Sequence, residues 1–392
     1  MYFRTKSDVF ARAVNASSRS IPQRSTMEIL SYVLIDAADG KVSITGTNLE
    51  LGVTITFPAT IDRPGKAAVP AKALSEFVST FPSGQHSISC MTGVDGAMSV
   101  QSDGLQRFNA KFKTADAGIY PIVATVAAER SIAIKASEFR TALDQTAFCA
   151  AKDDNRPTLS GVNIRTSLDD PPLRGLYFGA SDGYRLGRRS IHANVSDMDI
   201  DIIVNARHLS EISRMISDKT GDVVIAVSER GNQMSVTFGD DEYRVLFITR
   251  LMDGTFPDLS RIIPTTFATK LKASKQDLLY AMKASAVFAK SAMNVVKMSI
   301  AAEENANDLP LESAVTFTAK GDSGSNEIRI GGSVEGGDVF VSFNTDLFSE
   351  IIGSMKTNDV VVCVNGATSP LLIRGDGDDF ATHVLMPMSG HP

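Results

Sequence analysis

The alternation of apolar and polar residues along the chain contains one helical pattern that occurs three times. Val69 to Phe77 reads VPAKALSEF, Val204 to Ile212 reads VNARHLSEI, and Phe343 to Ile351 reads FNTDLFSEI. Leu74, Phe77, Val78 and Phe81 of the first copy correspond to Leu209, Ile212, Ser213 and Ile216 of the second and to Phe348, Ile351, Ile352 and Met355 of the third. The i, i+3, i+4, i+7 spacing predicts a helix with one buried face in each. The starts lie 135 and 139 residues apart, which is too long for a solenoid repeat and suits a small domain. The chain therefore reads as one domain written three times, with boundaries near Ala128 and Ile263 that divide it into 1–127, 128–262 and 263–392.

Each third opens with a second helix signal, in which Asp8, Glu138 and Asp277 precede Val9, Phe139 and Leu278. Thr5 with Asp8, and Ser274 with Asp277, have capping-box spacing. Asn205 and Asn344 stand at N-cap positions, and Pro70 at a first-turn position, of the repeated helices. Between the two helices of each copy comes a hairpin-like pair of apolar runs. The first turns at Asp39-Gly40, a strong hairpin signal. The second has a turn enlarged around Pro171-Pro172, and the third a longer polar turn from Glu303 to Pro310. After the repeated helix two more strands meet at an acidic or glycine turn, with Val100, Val236 and Ile373 equivalent. The copies close at Tyr120-Pro121, Phe256-Pro257 and Met386-Pro387, where proline should end the strand. The expected class is α+β, with antiparallel strands and two helices on one face of each copy.

Composition adds a direction to this picture. The net charge is −6, which argues against a protein that coats nucleic acid with its whole surface. Yet the six helical segments together hold 15 Lys and Arg against 9 Asp and Glu, leaving the remainder net −12. Positive helix pairs on an acidic body suit a surface that meets a phosphate backbone locally; the plainer reading is helix faces solvated by lysine. No apolar run approaches a bilayer span and no signal-peptide core is present, so a cytoplasmic protein without a membrane partner is expected. Cys90, Cys149 and Cys363 fall one to each third and read as small buried hydrophobes.

No phosphate-binding GxGxxG or Walker loop and no GxSxG elbow occurs, and His86, His192, His208, His383 and His391 have no paired metal-ligand spacing. Asp376, Asp378 and Asp379 lack the glycine and distal glutamate of a calcium loop and read as a β-turn. Tryptophan is absent, and no aromatic stripe suggests stacking of single-stranded bases. No cofactor, metal or catalytic residue is called.

The segments ILSYVLIDAADGKVSITGTNLELGV, NRPTLSGV, ASDGYRLGRRS, LMDGTFPDLSRIIP and HVLMPM, in this order over essentially the whole chain, resemble the bacterial DNA polymerase III beta subunits, the β sliding clamps. The resemblance implies a head-to-tail homodimer in which two copies of three DNA-clamp domains close a six-domain ring. Helices would line the hole, and double-stranded DNA would pass through it without sequence readout. It also implies a non-enzymatic processivity factor, loaded by a separate ATP-driven loader. Its partners, the polymerase III catalytic subunit, clamp-loader subunits and repair proteins, would insert short apolar peptides.

By motif position the peptide groove would be formed by Leu159, Ser181, Gly183, Tyr184, Arg185, Leu186, Pro257, Arg261, Ile262, Pro370, Val384, Leu385, Met386, Pro387 and Met388. Soft methionines and apolar side chains beside glycine suit such a role; an ordinary hairpin turn and last core strand are the alternative. The resemblance gives Arg24, Arg156, Arg207 and Lys152 as DNA contacts, with the lysines of the Lys275–Lys290 helix behind them, and Phe108, Val287 and Phe288 as dimer-interface residues. Solvated surface charge and burial within their own domains are the competing readings. Glu28 stands where the family has proline, and the chain ends Ser389-Gly390-His391-Pro392 instead of continuing with arginine and leucine. Two rivals remain: a three-domain peptide-binding scaffold or specialised paralogue that does not encircle DNA, and a hydrolase or transferase using Asp182, Tyr184 and Arg185.

Overall fold

A computed structural model describes the chain except residues 23, 82–85, 103–107, 124–125, 127–130, 154–155, 168–174, 196–198, 302–312 and 389–392. The turns at Pro171-Pro172 and Glu303–Pro310, the boundary at Ala128 and the C-terminal tail lie outside the described residues. The chain forms two compact units: Met1–Arg140 with Glu211–Leu251, and Thr141–Val195 with Asp199–Ser210 and Met252–Pro392. The middle third of the sequence is thus shared between them.

Six α helices are present among the described residues: α1 (Ser7–Ser17), α2 (Ala71–Val78), α3 (Ala136–Thr146), α4 (Ala206–Met215), α5 (Lys275–Ala289) and α6 (Thr345–Ser354). The repeated stretches are α2, α4 and α6. Leu74 and Val78, Leu209 and Ile212, and Phe348, Ile351 and Ile352 are buried, because the helical period places them on one side. Asn205 and Asn344 cap as expected, accepting from the backbone N–H of Arg207 at 2.9 Å and of Asp346 at 2.9 Å. Ser274 caps α5 more loosely, at 3.4 Å from the Asp277 N–H.

The capping box at Thr5 does not form. Thr5 belongs to the strand Tyr2–Lys6, its backbone paired opposite Ile88, and α1 starts with Lys6 as an N-cap that makes no side-chain bond. Pro70 is the N-cap of α2 and ends the strand Gly65–Pro70, one residue before the first turn. Two of the three closing prolines also differ from expectation. The strands before Tyr120-Pro121 and Phe256-Pro257 already end at Lys113 and Arg250, and only Met386-Pro387 directly follows a strand. Tyr120 instead docks its hydroxyl on the carbonyls of Tyr32 and Thr45, both at 3.1 Å.

The first unit holds an eight-stranded antiparallel sheet in the order Ser131–Lys135, Asp222–Val227, Gln233–Gly239, Arg244–Arg250, Leu51–Pro58, Lys41–Thr47, Tyr32–Ala38, Gly65–Pro70. A five-stranded sheet with Tyr2–Lys6 next to its edge completes it. Asp39 (φ 51°) and Gly40 (φ 71°) make the predicted two-residue hairpin with both central residues left-handed. Helix α1 lies on α2 and on the strands Lys41–Thr47 and Leu51–Pro58. The second unit is built on a twelve-stranded sheet that begins at Asp201–Asn205 and ends at Val339–Asn344. Its core joins Leu278 and Met282 of α5 and Phe348 and Ile351 of α6 to Phe317, Phe343, Val362 and Ile373. Val100, Val236 and Ile373 are all fully buried, and Cys90, Cys149 and Cys363 are free and buried.

Candidate functional site

The segment ASDGYRLG makes a turn closed by its own polar side chains in the second unit. Ser181 Oγ donates to the Arg185 carbonyl (2.8 Å) and accepts from the Gly183 N–H (3.1 Å). Asp182 Oδ1 accepts from the N–H groups of Tyr184 and Arg185, both at 2.8 Å. Gly183 sits at φ +87°, in the left-handed region that favours glycine, and a Cβ there would lie 2.7 Å from Arg156 Nη1, the movable end of that side chain. The turn holds Tyr184 out into solvent, 65% exposed.

Beside it lies an apolar floor. Leu186 is paired across the ladder with Val384, and both cluster with Leu259, with Phe256 and Ile263 packed around them. Pro257, Arg261, Ile262 and Met386 stand exposed, while Leu159, Pro370, Pro387 and Met388 are half-buried and Leu385 is core. The Met386 N–H donates to the Tyr184 carbonyl, which ties the last segment to the turn, and the Met388 N–H donates to the Ser342 carbonyl in the strand Val339–Asn344, each at 2.8 Å. Phe256, Leu259 and Ile263 escaped the sequence reading although they stand in LMDGTFPDLSRIIP. Their spacing there is neither helical nor alternating, because the segment is irregular around the short 3-10 turn Leu259–Ile262.

Arg185 does not present its side chain to this groove. Its guanidinium is 2% exposed and lies between Asp182 Oδ2 (3.2 Å) and the Glu350 carboxylate of α6. It donates to the Phe148 carbonyl (2.7 Å) and sits over the Phe148 ring, 5.0 Å from the centroid. Arg189, on the same strand, reaches Gln145 Oε1 (2.6 Å) and Asp378 (2.9 Å). His383 is fully buried with Nε2 2.7 Å from the Gln145 carbonyl. Burial pushes its pKa down to about 4, against the opposing pull of that hydrogen bond, so the ring is neutral and donates from Nε2.

On the helical side of the same unit, Arg207 in the first turn of α4 is exposed and its Nη2 donates to the Lys152 carbonyl at 3.3 Å. Both residues line a cavity of about 310 Å³ with Phe148, Ala150, Ser160 and Asn205. Lys152 is 77% exposed and 3.8 Å from Glu350. Arg156 points instead to the groove's turn, donating to the Asp182 carbonyl at 2.8 Å. Among the α5 lysines, Lys275 is committed to the end of α6 through the Met355 carbonyl at 2.6 Å, whereas Lys283 and Lys290 are exposed. In the first unit, Arg24 is exposed.

Known proteins match this arrangement domain by domain. Residues 1–124, 133–258 and 260–389 match the N-terminal, central and C-terminal domains of the DNA polymerase III beta subunit, respectively. The chain belongs to this beta subunit family. It is 25% identical to the beta sliding clamp of Staphylococcus aureus over 397 aligned residues, covering 99% of both chains. The crystal structure of the DNA polymerase sliding clamp from Bacillus subtilis superposes with a TM-score of 0.85 at 24% identity. That of a sliding clamp from Bartonella birtlesii bound to griselimycin gives 0.86 at 26% identity, and both matches cover 100% of each chain.

Family membership makes the threefold repeat informative, because the groove's turn occurs twice among the described residues. In the first unit Thr47 Oγ1 donates to the Leu51 carbonyl (2.9 Å) and accepts from the Leu49 N–H (3.0 Å). Asn48 Oδ1 accepts from Glu50 and Leu51, at 3.0 and 2.6 Å, and the Arg250 N–H reaches the Glu50 carbonyl (2.7 Å) as Met386 reaches Tyr184. By this register Leu51 stands in for Arg185 and Gly52 for Leu186. A Cβ on Gly52 would lie 2.6 Å from Val123, so the first unit cannot hold a leucine at that place. Phe108 is half-buried and stacks on Phe81 at 5.0 Å and edge-on to Phe77 at 5.4 Å. Val287 is 66% exposed, and Phe288 packs partly buried on the second unit's core. The polar trio Asp182, Tyr184 and Arg185 is not assembled as a reacting centre, since Asp182 holds the turn and Arg185 points inward.

Proposed function

We propose that two copies of this chain close head to tail into a six-domain ring around duplex DNA and tether polymerase and repair partners to it. The DNA sliding clamp function follows from family membership over nearly the full length. We read domain limits of 1–127, 128–262 and 263–392. A ring needs no catalytic residue of its own: topology retains it on the duplex, and the polymerase supplies the chemistry, so the chain acts as an accessory factor opened by a separate loader. Arg24, Arg207 and Lys152 would meet phosphates, which gives affinity without sequence readout. Phe108, Val287 and Phe288 would close the ring. The floor of Leu186, Leu259 and Val384, rimmed by Pro257, Ile262, Met386 and Met388, would take apolar side chains of partner peptides. No described helix is long and apolar enough to cross a membrane, and the site of action is the cytoplasm.

The observation that carries this reading is the conjunction, in one family member, of the exposed cations Arg207 and Lys152 at one cavity with an apolar floor beside a turn closed by its own side chains. Retention on DNA tests it. After loading, the protein should remain on circular DNA and run off linear DNA of the same sequence. Equal loss from both, or sedimentation of the 41.9 kDa chain as a monomer at micromolar concentration, would instead favour a peptide-binding scaffold.

A further inference from the structure

The two turns compared above differ in one respect that their hydrogen bonds do not require. With Leu51 at the position of Arg185, the first unit's turn keeps every backbone bond, and Leu51 is 3% exposed, as Arg185 is. An apolar side chain therefore suffices to build the turn. Burying a guanidinium there is costly unless its partners are held in place, and those partners lie on other elements: Glu350 on α6 and the Phe148 carbonyl just after α3. Glu350 is itself shared. One carboxylate oxygen meets Arg185, and the other lies 3.8 Å from Lys152 Nζ, next to Arg207 in the cation-rimmed cavity.

We propose that Glu350 is a positioning residue that couples DNA on the helical side to the stiffness of the peptide groove. This rests on the proposed groove and DNA contacts. When a phosphate takes Lys152, the Glu350 carboxylate loses a competing cation, and its charge falls on Arg185 alone. The phosphate's field adds in the same sense, favouring the guanidinium in its buried seat. Arg185 then grips Asp182 and the Phe148 carbonyl more firmly. Asp182 fixes the N–H groups of Tyr184 and Arg185, so the turn beside Leu186 is better ordered before a peptide arrives. A preordered groove loses less freedom on binding, and the linkage is reciprocal: peptide strengthens DNA binding by the same factor. Because Lys152 is exposed, the effect is modest, about two- to threefold in affinity.

The experiment is anisotropy of a fluorescent apolar peptide bound to the full chain at low salt, with and without a saturating short duplex. DNA should raise the native affinity about two- to threefold. Glu350→Gln should melt below the native protein, because it leaves the buried guanidinium short of one charged partner. Assayed at a temperature where it is folded, it should bind the peptide more weakly without DNA and lose the response. Lys152→Met, an exposed change that spares the fold, should bind the peptide as tightly without DNA as the native protein does with it. A native affinity indifferent to DNA, or a Glu350→Gln variant that keeps the response, overturns the coupling and leaves the groove standing. A native protein that binds no peptide at all overturns the groove and the coupling with it.

Discussion

At the scale of single residues, His383 shows how far burial overrides an intrinsic property. Its ring lies on Phe148 (5.9 Å between centroids) and donates to the Gln145 carbonyl, while Nδ1 finds no partner. The folded-state pKa of about 4 lies below the ordinary imidazole value of 6.5. Between those values the unfolded chain binds a proton that the folded chain refuses, so stability rises with pH across the window. His383 therefore withdraws no stability above pH 6.5 and up to about 3 kcal/mol as pH falls toward 4. Denaturant titrations at pH 7 and pH 4.5 should show this loss in the native protein. In His383→Gln the loss between the two pH values should shrink, on a baseline lowered by about 1 kcal/mol for the altered hydrogen bond. An identical decrement in both proteins would place the acid sensitivity in other groups. The three cysteines tell the same story more simply: burial pushes each thiol up, so all three remain neutral packing groups.

At the scale of elements, what the sequence revealed depended on whether its signal was periodic. The stripes of α2, α4 and α6 were legible because 3.6-residue periodicity is a geometric necessity for a half-buried helix, and Asp39-Gly40 was legible because few residue pairs tolerate two left-handed conformations. Thr5 and Asp8 misled because capping-box spacing also arises when the first residue ends a strand. The groove was half legible. Its turn and last strand stood out as motifs, but Phe256, Leu259 and Ile263 lie on irregular chain, where no period marks the apolar face. Nor could the sequence show that Arg185 points inward, since charge is visible in a sequence and burial is not. The element-level prediction is that Leu186→Ala with Met388→Ala lowers affinity for an apolar partner peptide at least about tenfold, since both floor and rim lose contact area. Leu186, 1% exposed, should also cost about 2–4 kcal/mol of stability. Calorimetry of binding and melting on the same sample separates the two, and undiminished affinity in a folded double variant would move the groove elsewhere.

At the scale of the whole molecule, the question is how a chain of net charge −6 holds a polyanion. The answer lies in distribution: the helices with their flanking residues carry 15 basic against 9 acidic residues, and the rest of the chain is net −12. The helices themselves, however, hold seven basic and eight acidic residues, so the excess expected on their faces sits at their ends, in residues such as Lys152, Lys219, Lys290 and Lys356. Ion pairs discount that excess, since Arg19 and Arg214 both meet Glu211, Arg140 meets Asp218, and Lys275 is tied to the end of α6. Among the described residues the Arg207 guanidinium bonds a backbone carbonyl and no carboxylate, which keeps its full charge for a phosphate. An acidic body around a few uncommitted cations predicts weak, salt-sensitive holding that permits sliding, in contrast to the tight grip of a basic protein. Each phosphate contact releases about one counterion, so the slope of log affinity against log salt counts the contacts. Arg207→Ala should therefore reduce that slope by about 1 and weaken duplex binding equally on unrelated sequences, with peptide affinity measured without DNA unchanged. An unaltered slope would show that Arg207 makes no phosphate contact, and a loss confined to one sequence would contradict the backbone-only mode on which sliding depends.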